Sequence, residues 1–256
     1  MADQKMTFIE HLEELRRRII VMFLSLVVAI TVGYIFSWEI LGFLKEPAAK
    51  AGIPLNLYYQ TVLEPFMVRF RIAMYAAIVL ALPVVIYEII AYIAPALRKR
   101  EKRFMFYALF FIIVFFLAGV AFCYMYILPV GLEWLTGQSG GQITPVLMAN
   151  QYVSFVALLM VGVGLSFETP LVVWLVVRLG IVTPQKLHKN WRFAVIIILA
   201  FAALITPDWN PVTMVLVAAP MFLLYEGSIF FARFGMRSAS KRREAFEAET
   251  ESGEEE

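Results

Sequence analysis

The sequence predicts an all-α integral membrane protein with six transmembrane helices. Of its 256 residues, 61% are hydrophobic and only 16% are charged, and the mean hydropathy is +0.78. Soluble domains carry about 25% charged residues, so this composition indicates a chain that lies mostly in lipid. Two further observations support the six crossings: the chain divides into six apolar segments, and its Lys and Arg residues cluster in every second gap between them.

The lengths of the apolar segments decide which of them can cross a bilayer. The segments are 19–38, 72–96, 104–132, 152–177, 193–206 and 212–232. The first four reach the about 20 residues that a helix needs to cross the hydrocarbon core. The fifth has 14 residues, and the sixth has 14 before Glu226 interrupts it. Each of these two either spans a locally thinned bilayer or belongs to a re-entrant hairpin. We favour two short spans, because the charge pattern fits an even number.

The basic residues define the orientation. Of the 22 Lys and Arg residues, 18 lie in the N-terminus, in the loops after segments two and four, and in the C-terminal tail. The remaining four, on the other face, are Lys45, Lys50, Arg69 and Arg71. Basic residues concentrate on the cytoplasmic side of membrane spans. We therefore predict a multi-pass protein of the cell (cytoplasmic or inner) membrane with both termini in the cytoplasm.

The domain organisation is simple. We expect one six-span membrane domain over residues 1–236 and a disordered, charged cytoplasmic tail over 237–256, where apolar residues are scarce. No cleavable signal peptide is expected, because the apolar run that starts at Ile19 is too long and follows acidic residues. Cys123 is the only cysteine and lies in the third segment, so no disulfide framework is expected.

Enzymatic signatures are missing from the sequence. The two histidines are His11 and His188, and neither belongs to an HExxH motif or to a set of zinc ligands. The stretch GQSGG at 137–141 lacks the GxSxG spacing, and no phosphate-binding loop occurs. We therefore expect a protein that is not an enzyme and that needs no cofactor or metal. No nucleic-acid partner is expected.

Proline recurs inside the predicted spans, at positions 83, 129, 170 and 220. Each proline removes a backbone hydrogen bond and bends its helix. Kinked helices of this kind form a curved wall rather than a straight bundle.

Three carboxylates lie within the predicted spans. Glu168 is near the middle of segment four, where an ionised carboxylate costs about 2.5–3.5 kcal/mol on insertion scales. It is either a protonated side chain bonded to a neighbouring helix or a polar foothold for a substrate segment or partner helix, and both roles can coexist. Glu88 and Glu226 lie closer to the basic loops, and for them we favour a structural polar contact.

The N-terminus combines acidic and basic residues immediately before the first span. Glu10, Glu13 and Glu14 precede the basic run Arg16–Arg18, and Glu101 interrupts a second basic run at 98–103. Acids have no role in setting topology. Their simplest interpretation is ordinary helix-surface ion pairing at a spacing of four residues, worth about 0.3–0.5 kcal/mol a pair.

Five stretches of the chain resemble the TatC family, the multispanning subunit of the twin-arginine protein translocase. They are FIEHLEELRRR at 8–18, EPF at 64–66, YIAPALRKRE at 92–101, GLSFETP at 164–170 and APMFLLYE at 219–226. The resemblance extends over almost the whole chain, and the first stretch together with the 92–101 loop is its most specific part.

The resemblance implies a cup-shaped six-span protein with two short final helices, acting as receptor and scaffold for the twin-arginine signal peptides of folded proteins. In that family the carboxylates at the positions of Glu14 and Glu101 contact the paired arginines, with Arg16 and Tyr92 in the same binding region. Glu168 corresponds to the family's intramembrane glutamate. Two outer-loop positions, Pro47 and Glu64, are also expected to be functional.

The resemblance also implies partners. These are single-span proteins of the TatA/TatB type, in a hetero-oligomer with several copies that exports its substrates by the proton-motive force. Asn210 and Met214 depart from residues that are frequent in the family, Asp and Gln, so partner contacts there are left open. The alternative to this function is a proton-coupled secondary transporter of a small solute, with Glu168 and Glu88 as the proton relay.

Overall fold

The computed structural model describes residues 8–53, 55–93, 99–138, 140, 146–178, 182–206 and 211–230. The helices in this part of the chain are α1 (Phe8–Ile35), α2 (Ser37–Lys50), α3 (Glu64–Ile93), α4 (Lys99–Phe122), α5 (Leu128–Gly137), α6 (Ala149–Ser166), α7 (Thr169–Arg178), α8 (Pro184–Lys189), α9 (Trp191–Ile205) and α10 (Pro211–Phe230). Two short strands, β1 (Leu57–Tyr58) and β2 (Leu147–Met148), pair in parallel with Leu57 opposite Leu147.

Five helical stretches among the described residues are long and apolar enough to cross a membrane, as the prediction of an all-α membrane protein requires. They are Ile9–Ile35, Glu64–Tyr92, Leu109–Gly137, Ala149–Val177 and Pro211–Phe230. The helix α9 has 15 residues, and its length of about 22 Å agrees with a short fifth segment. The last helix differs from the prediction. It has 20 residues, because it continues through Glu226 instead of weakening there.

Two compact units are present. The first comprises the described residues of Met1–Leu165 and Ile205–Pro207, and the second comprises those of Ser166–Leu204 and Asp208–Glu256. The predicted tail, 237–256, lies outside the described residues. The predicted membrane domain, 1–236, includes parts of both units.

Small residues let α1 and α3 pack closely and antiparallel in the first unit. A Cβ added to Gly33 would lie 3.0 Å from the carbonyl oxygen of Ala73, so a larger residue here would push the two backbones apart. Further along the same interface, Ala29, Ala77 and Ala81 form a buried cluster. Close backbone approach through small residues is the usual basis of helix packing in lipid, where the hydrophobic effect between helices is weak.

The helix α2 lies in the predicted first outer loop, and two tyrosines hold it. Pro47 lacks an N–H, so the carbonyl of Phe43, four residues earlier, loses its donor within the helix. The Tyr124 hydroxyl lies 3.1 Å from that carbonyl oxygen, and the rings of Tyr124 and Phe43 stack with centroids 4.1 Å apart. The Tyr152 hydroxyl donates to the carbonyl of Leu44 at 2.7 Å.

A π-helical turn, Cys123–Ile127, joins α4 to α5 and carries Tyr124. Such turns insert an extra residue into a helix and are frequent at functional sites. Pro129, the second residue after the turn, cannot donate a backbone hydrogen bond, which favours the wider turn before it. The turn therefore sets the direction in which Tyr124 reaches α2.

Arg69, near the start of α3, joins the two helices at the end where α1 finishes and α3 begins. Its guanidinium lies 4.3 Å from the ring centroid of Tyr34 and 5.4 Å from that of Trp38, as cation–π contacts. Its Nε donates to the buried hydroxyl of Ser37 at 2.9 Å. One arginine thus connects the end of α1, the start of α2 and the start of α3.

The second unit begins at a helix break. α6 ends at Ser166, a turn at 167–168 follows, and α7 starts at Thr169. Pro170 cannot donate to the carbonyl of Ser166, and the Thr169 hydroxyl donates to that oxygen instead at 2.6 Å. The kink predicted at Pro170 is therefore confirmed as a complete interruption of the helix.

Contacts between α8 and α10 complete the second unit. Thr183 caps α8 by accepting a hydrogen bond from the Lys186 N–H. The Tyr225 hydroxyl donates to the carbonyl of Leu187 at 3.1 Å, and Glu226 pairs with His188 at 3.3 Å. The structural contact predicted for Glu226 is therefore confirmed.

Candidate functional site

The predicted acid Glu14 belongs to a cluster of three charged side chains between α1 and α3. Arg18 donates from Nε to Glu14 Oε1 at 3.0 Å, and its Nη2 contacts the same oxygen. The Nη1 of Arg18 donates to Glu88 Oε2 at 2.8 Å. The spacing of four residues on α1 produces the first contact, and the antiparallel packing of α3 brings Glu88 to the same guanidinium. We call these three residues the Arg18 cluster.

The Arg18 cluster is largely withdrawn from solvent. The exposed fractions of the side chains are 20% for Arg18, 18% for Glu14 and 13% for Glu88. Glu14 Oε2 is buried and has no hydrogen-bond partner among the described residues. A shielded carboxylate oxygen without a partner is costly, so this atom is an acceptor that favours an additional donor.

An open hollow of about 650 Å³ runs along α1 beside Glu14. Arg16 and Ile20 are among the α1 residues that line it, and both are exposed. The hollow is large enough to admit side chains from another molecule. Glu14 therefore has Arg18, which connects it to Glu88 on α3, on one side and a space that is open to solvent on the other.

Tyr92 lies one helical turn beyond Glu88 and faces the start of α1. Its ring stacks on His11 with centroids 4.5 Å apart and an angle of 17° between the planes. The stack and the Arg18 cluster both join the N-terminal part of α1 to the C-terminal part of α3. The structure thus brings Tyr92 and Glu14 to the same end of the helix pair. Their shared role in binding a signal peptide stays a prediction.

The second predicted acid, Glu101, lies in the first turn of α4. Its side chain lies outside the part of the chain that the structure describes. The predicted pairing of Glu101 with Glu14 therefore stays a prediction.

The other predicted residues do not belong to the Arg18 cluster. Glu168 occupies the turn between α6 and α7, where its carbonyl accepts the N–H groups of Leu171 and Val172 at 3.0 Å. Both of its carboxylate oxygens are shielded from solvent. Pro47 is buried in α2. Glu64 begins α3 and accepts the backbone N–H of Gln60 at 2.8 Å.

For Glu88 a structural polar contact was favoured over a place in a proton relay, and its ion pair with Arg18 confirms the contact. What sequence reasoning missed is that one guanidinium serves both Glu14 and Glu88. The spacing of four residues indicates the first pair, but Arg18 and Glu88 are 70 residues apart. No local pattern could have linked them.

Within the described residues, no group of three or more His, Cys, Asp or Glu side chains is placed to hold a metal ion. The chemistry available at the Arg18 cluster is therefore that of carboxylates and hydrogen bonds. Such a site suits recognition of cationic groups, above all guanidinium groups, which carry several donors in a fixed plane.

Comparisons with known proteins identify the family of the chain. The family profile described as "Sec-independent protein translocase protein (TatC)" matches residues 10–220. The Sec-independent protein translocase protein TatC of Carboxydothermus hydrogenoformans is 32% identical over 234 residues, which cover 91% of this chain and 96% of that protein. The TatC protein of Aquifex aeolicus is 33% identical over 242 residues, covering 94% of this chain and 100% of that protein.

A solved structure extends the similarity to the fold. A crystal structure described as that of the twin arginine translocase receptor TatC matches with a TM-score of 0.79 at 31% identity. The match covers 89% of this chain and 100% of that one. Sequence and fold agree over the same part of the molecule, and the site residues from Glu14 to Glu168 lie within the matched range. The chain therefore belongs to the TatC family, the non-enzymatic, multi-pass membrane component of the Sec-independent protein translocase.

Proposed function

We propose that this protein is the signal-peptide receptor of its translocase and that Glu14 and Glu101 bind the paired arginines of exported precursors. The observation that carries the proposal is the state of Glu14. One of its oxygens accepts from Arg18, and the other is shielded without a partner among the described residues. An incoming guanidinium supplies the missing donor, and the adjoining hollow supplies its path.

Arginine rather than lysine fits this site for a geometrical reason. A guanidinium presents parallel N–H donors to a carboxylate, whereas an ammonium is a compact and strongly hydrated point charge. Hydrogen bonds to charged groups contribute about 1.5–3 kcal/mol each. Two carboxylates that each bind one arginine therefore distinguish a twin-arginine peptide from a twin-lysine peptide. Arg16, beside the hollow, and Tyr92, stacked on His11, shape the surroundings of Glu14 in this proposal.

Three predicted residues have supporting roles in the proposal. Glu168, in the break between α6 and α7, offers a polar foothold within the membrane for a substrate segment or partner helix. Pro47 frees the carbonyl to which Tyr124 binds and so positions α2. Glu64 fixes the turn before α3 by accepting the N–H of Gln60.

The proposal also includes the setting of the receptor. It lies in the cell (inner) membrane with both termini in the cytoplasm, so that Glu14 faces precursors before their export. It assembles in several copies with single-span proteins of the TatA/TatB type, and the proton-motive force drives transport. Arg18 supports this orientation, because it belongs to the basic N-terminus that the positive-inside rule places in the cytoplasm.

Charge reversal tests the proposed site. Glu14→Lys and Glu101→Lys are each expected to abolish export of a folded reporter that carries a twin-arginine signal peptide, because a cation then faces the substrate's arginines. The amount of protein in the membrane should stay unchanged. Glu39→Lys is the matched control, since this exposed acid on α2 lies outside the Arg18 cluster and does not line the hollow. Normal export by the Glu14→Lys, Glu101→Lys double variant would refute the site.

A further inference from the structure

We propose that Arg18 is a built-in competitor for Glu14 and that Glu88 adjusts how strongly it competes. With both residues present, the Arg18 cluster has a formal charge of −1, which one substrate guanidinium neutralises. The inference rests on the proposed function of Glu14 and adds two specificity-determining residues to it.

The hydrogen bonds that Arg18 donates leave one oxygen of Glu14 without a donor in the described part of the chain. Arg18 uses three of its five N–H groups, and two of these converge on one oxygen of Glu14. An arginine that binds a carboxylate bidentately spreads its donors over both oxygens. Here the third donor holds Glu88 at 2.8 Å, which fixes the guanidinium between the two acids. Glu14 Oε2 is therefore left to another donor.

The Arg18 cluster also carries a net negative charge. The Arg18 cluster contains two carboxylates and one guanidinium, a formal charge of −1 when all are ionised. Its side chains are 13–20% exposed, so solvent compensates this charge only in part. A shielded charge that lacks a partner is costly, because it has lost its hydration without compensation. A second guanidinium balances the cluster, and a third cation would overload it.

Selectivity follows from the identity of the competitor. Because Arg18 already offers Glu14 a guanidinium, a substrate group must match that geometry to gain a place beside it. A lysine ammonium loses its hydration on entry and has no fork to offer in exchange. Arg18 therefore excludes alkali-metal ions and lysine, while Glu88 prevents Arg18 from neutralising Glu14 completely.

A purely structural role for the ion pairs makes different predictions. If Arg18 and Glu88 only tie α1 to α3, each substitution lowers stability, and removing both is no better than removing one. Binding of twin-arginine and twin-lysine peptides would then fall together. If the cluster sets specificity, binding follows its charge, and the ratio between the two peptides changes.

The test is a charge series in the full-length protein, reconstituted in lipid nanodiscs. Binding of fluorescent twin-arginine and twin-lysine signal peptides is measured by anisotropy, and the thermal stability of each sample is recorded. Glu88→Gln brings the free cluster to zero charge, so affinity for the twin-arginine peptide should fall about tenfold, the size of one charge-assisted hydrogen bond. Arg18→Gln should bind both peptides more tightly and lower their affinity ratio about tenfold.

The double variant decides between the two roles. Arg18→Gln, Glu88→Gln has the wild-type charge of −1 and should recover affinity for the twin-arginine peptide to within about threefold of wild type. Binding no better than that of Glu88→Gln alone would overturn the inference. Should Arg18→Gln fail to fold, Arg18→Lys keeps the charge but not the fork, and an unchanged affinity ratio in that variant would also overturn it.

Two further variants separate this inference from the proposed function. Glu39→Gln makes the same change of charge on α2, at an exposed acid that is neither in the cluster nor beside the hollow, and it should bind both peptides as the wild type does. Glu14→Gln should lose selective binding, and unaltered binding by that variant would refute the proposed function itself. Loss of binding in Glu14→Gln with no effect of Glu88→Gln would refute the inference alone.

Discussion

The attachment of α2 provides a prediction about stability that depends on a single hydroxyl. Pro47 deprives the Phe43 carbonyl of its helical donor, and the Tyr124 hydroxyl lies 3.1 Å from that oxygen. The same hydroxyl is 2.8 Å from Glu46 Oε2, but Glu46 is exposed and water can replace the contact. Tyr124→Phe removes only the hydroxyl and keeps the ring that stacks on Phe43.

The expected loss follows from the unsatisfied carbonyl. A backbone acceptor that loses its remaining donor costs about 1–3 kcal/mol. Pro47→Ala restores an N–H that can donate to Phe43 within the helix. In the Pro47→Ala background, Tyr124→Phe should therefore cost less than about half as much, which gives a coupling energy of about 1 kcal/mol between the two positions.

The measurement is a double-mutant cycle on the purified protein in detergent, with unfolding by increasing SDS followed by circular dichroism. Tyr126→Phe serves as the control, because Tyr126 is an exposed tyrosine in the same π-helical turn, and it should leave stability unchanged. Equal costs of Tyr124→Phe in both backgrounds would refute the reasoning, since Pro47 would then have no part in the need for the hydroxyl.

Two other predictions concern packing and orientation. Gly33→Ala should destabilise the protein by about 1–3 kcal/mol, because its Cβ would meet the Ala73 backbone at 3.0 Å, whereas Gly42→Ala, with nothing within 4 Å, should be tolerated in the same unfolding assay. Cysteines introduced at Lys241 and Lys50 should react with a membrane-impermeant maleimide from opposite sides of the membrane, while the native, buried Cys123 should not react. Equal stability of the two glycine variants, or labelling of both cysteines from one side, would contradict these expectations.

The membrane architecture could be predicted from the sequence because it depends on composition and length. Apolar runs long enough to cross the hydrocarbon core as a helix identified the long spans. The 15 residues of α9 agree with a short fifth segment. The length of α10 could not be predicted, because Glu226 suggested an interruption. Its carboxylate pairs with His188 on α8, and a paired acid lets the helix continue.

The prolines show how much of the local structure a sequence can reveal. Pro170 predicted a bend, and the helix indeed breaks just before it. The sequence could not show which group satisfies the carbonyl that each proline frees. Thr169, a neighbour in the chain, does so for Ser166, but Tyr124 reaches Phe43 from 81 residues away. The second arrangement depends on tertiary packing and leaves no local signal.

In the candidate site, too, local contacts could be predicted from the sequence and tertiary contacts could not. The pair Glu14–Arg18 follows from helical spacing, and the resemblance to the TatC family singled out Glu14 among the three acids. The link from Arg18 to Glu88 and the stack of His11 on Tyr92 depend on the register between α1 and α3. That register is set by close contacts such as Gly33 on Ala73, which a single sequence does not specify.

Photo-crosslinking tests the central claim most directly, namely that Glu14 and Glu101 recognise paired arginines. A photoreactive residue at position 101 is combined with a precursor whose signal peptide carries either two arginines or two lysines. The account predicts a crosslink to the twin-arginine peptide that disappears with the twin-lysine peptide and in the Glu14→Lys background. Equal crosslinking of both peptides would contradict it, because position 101 would then behave as an ordinary solvated loop.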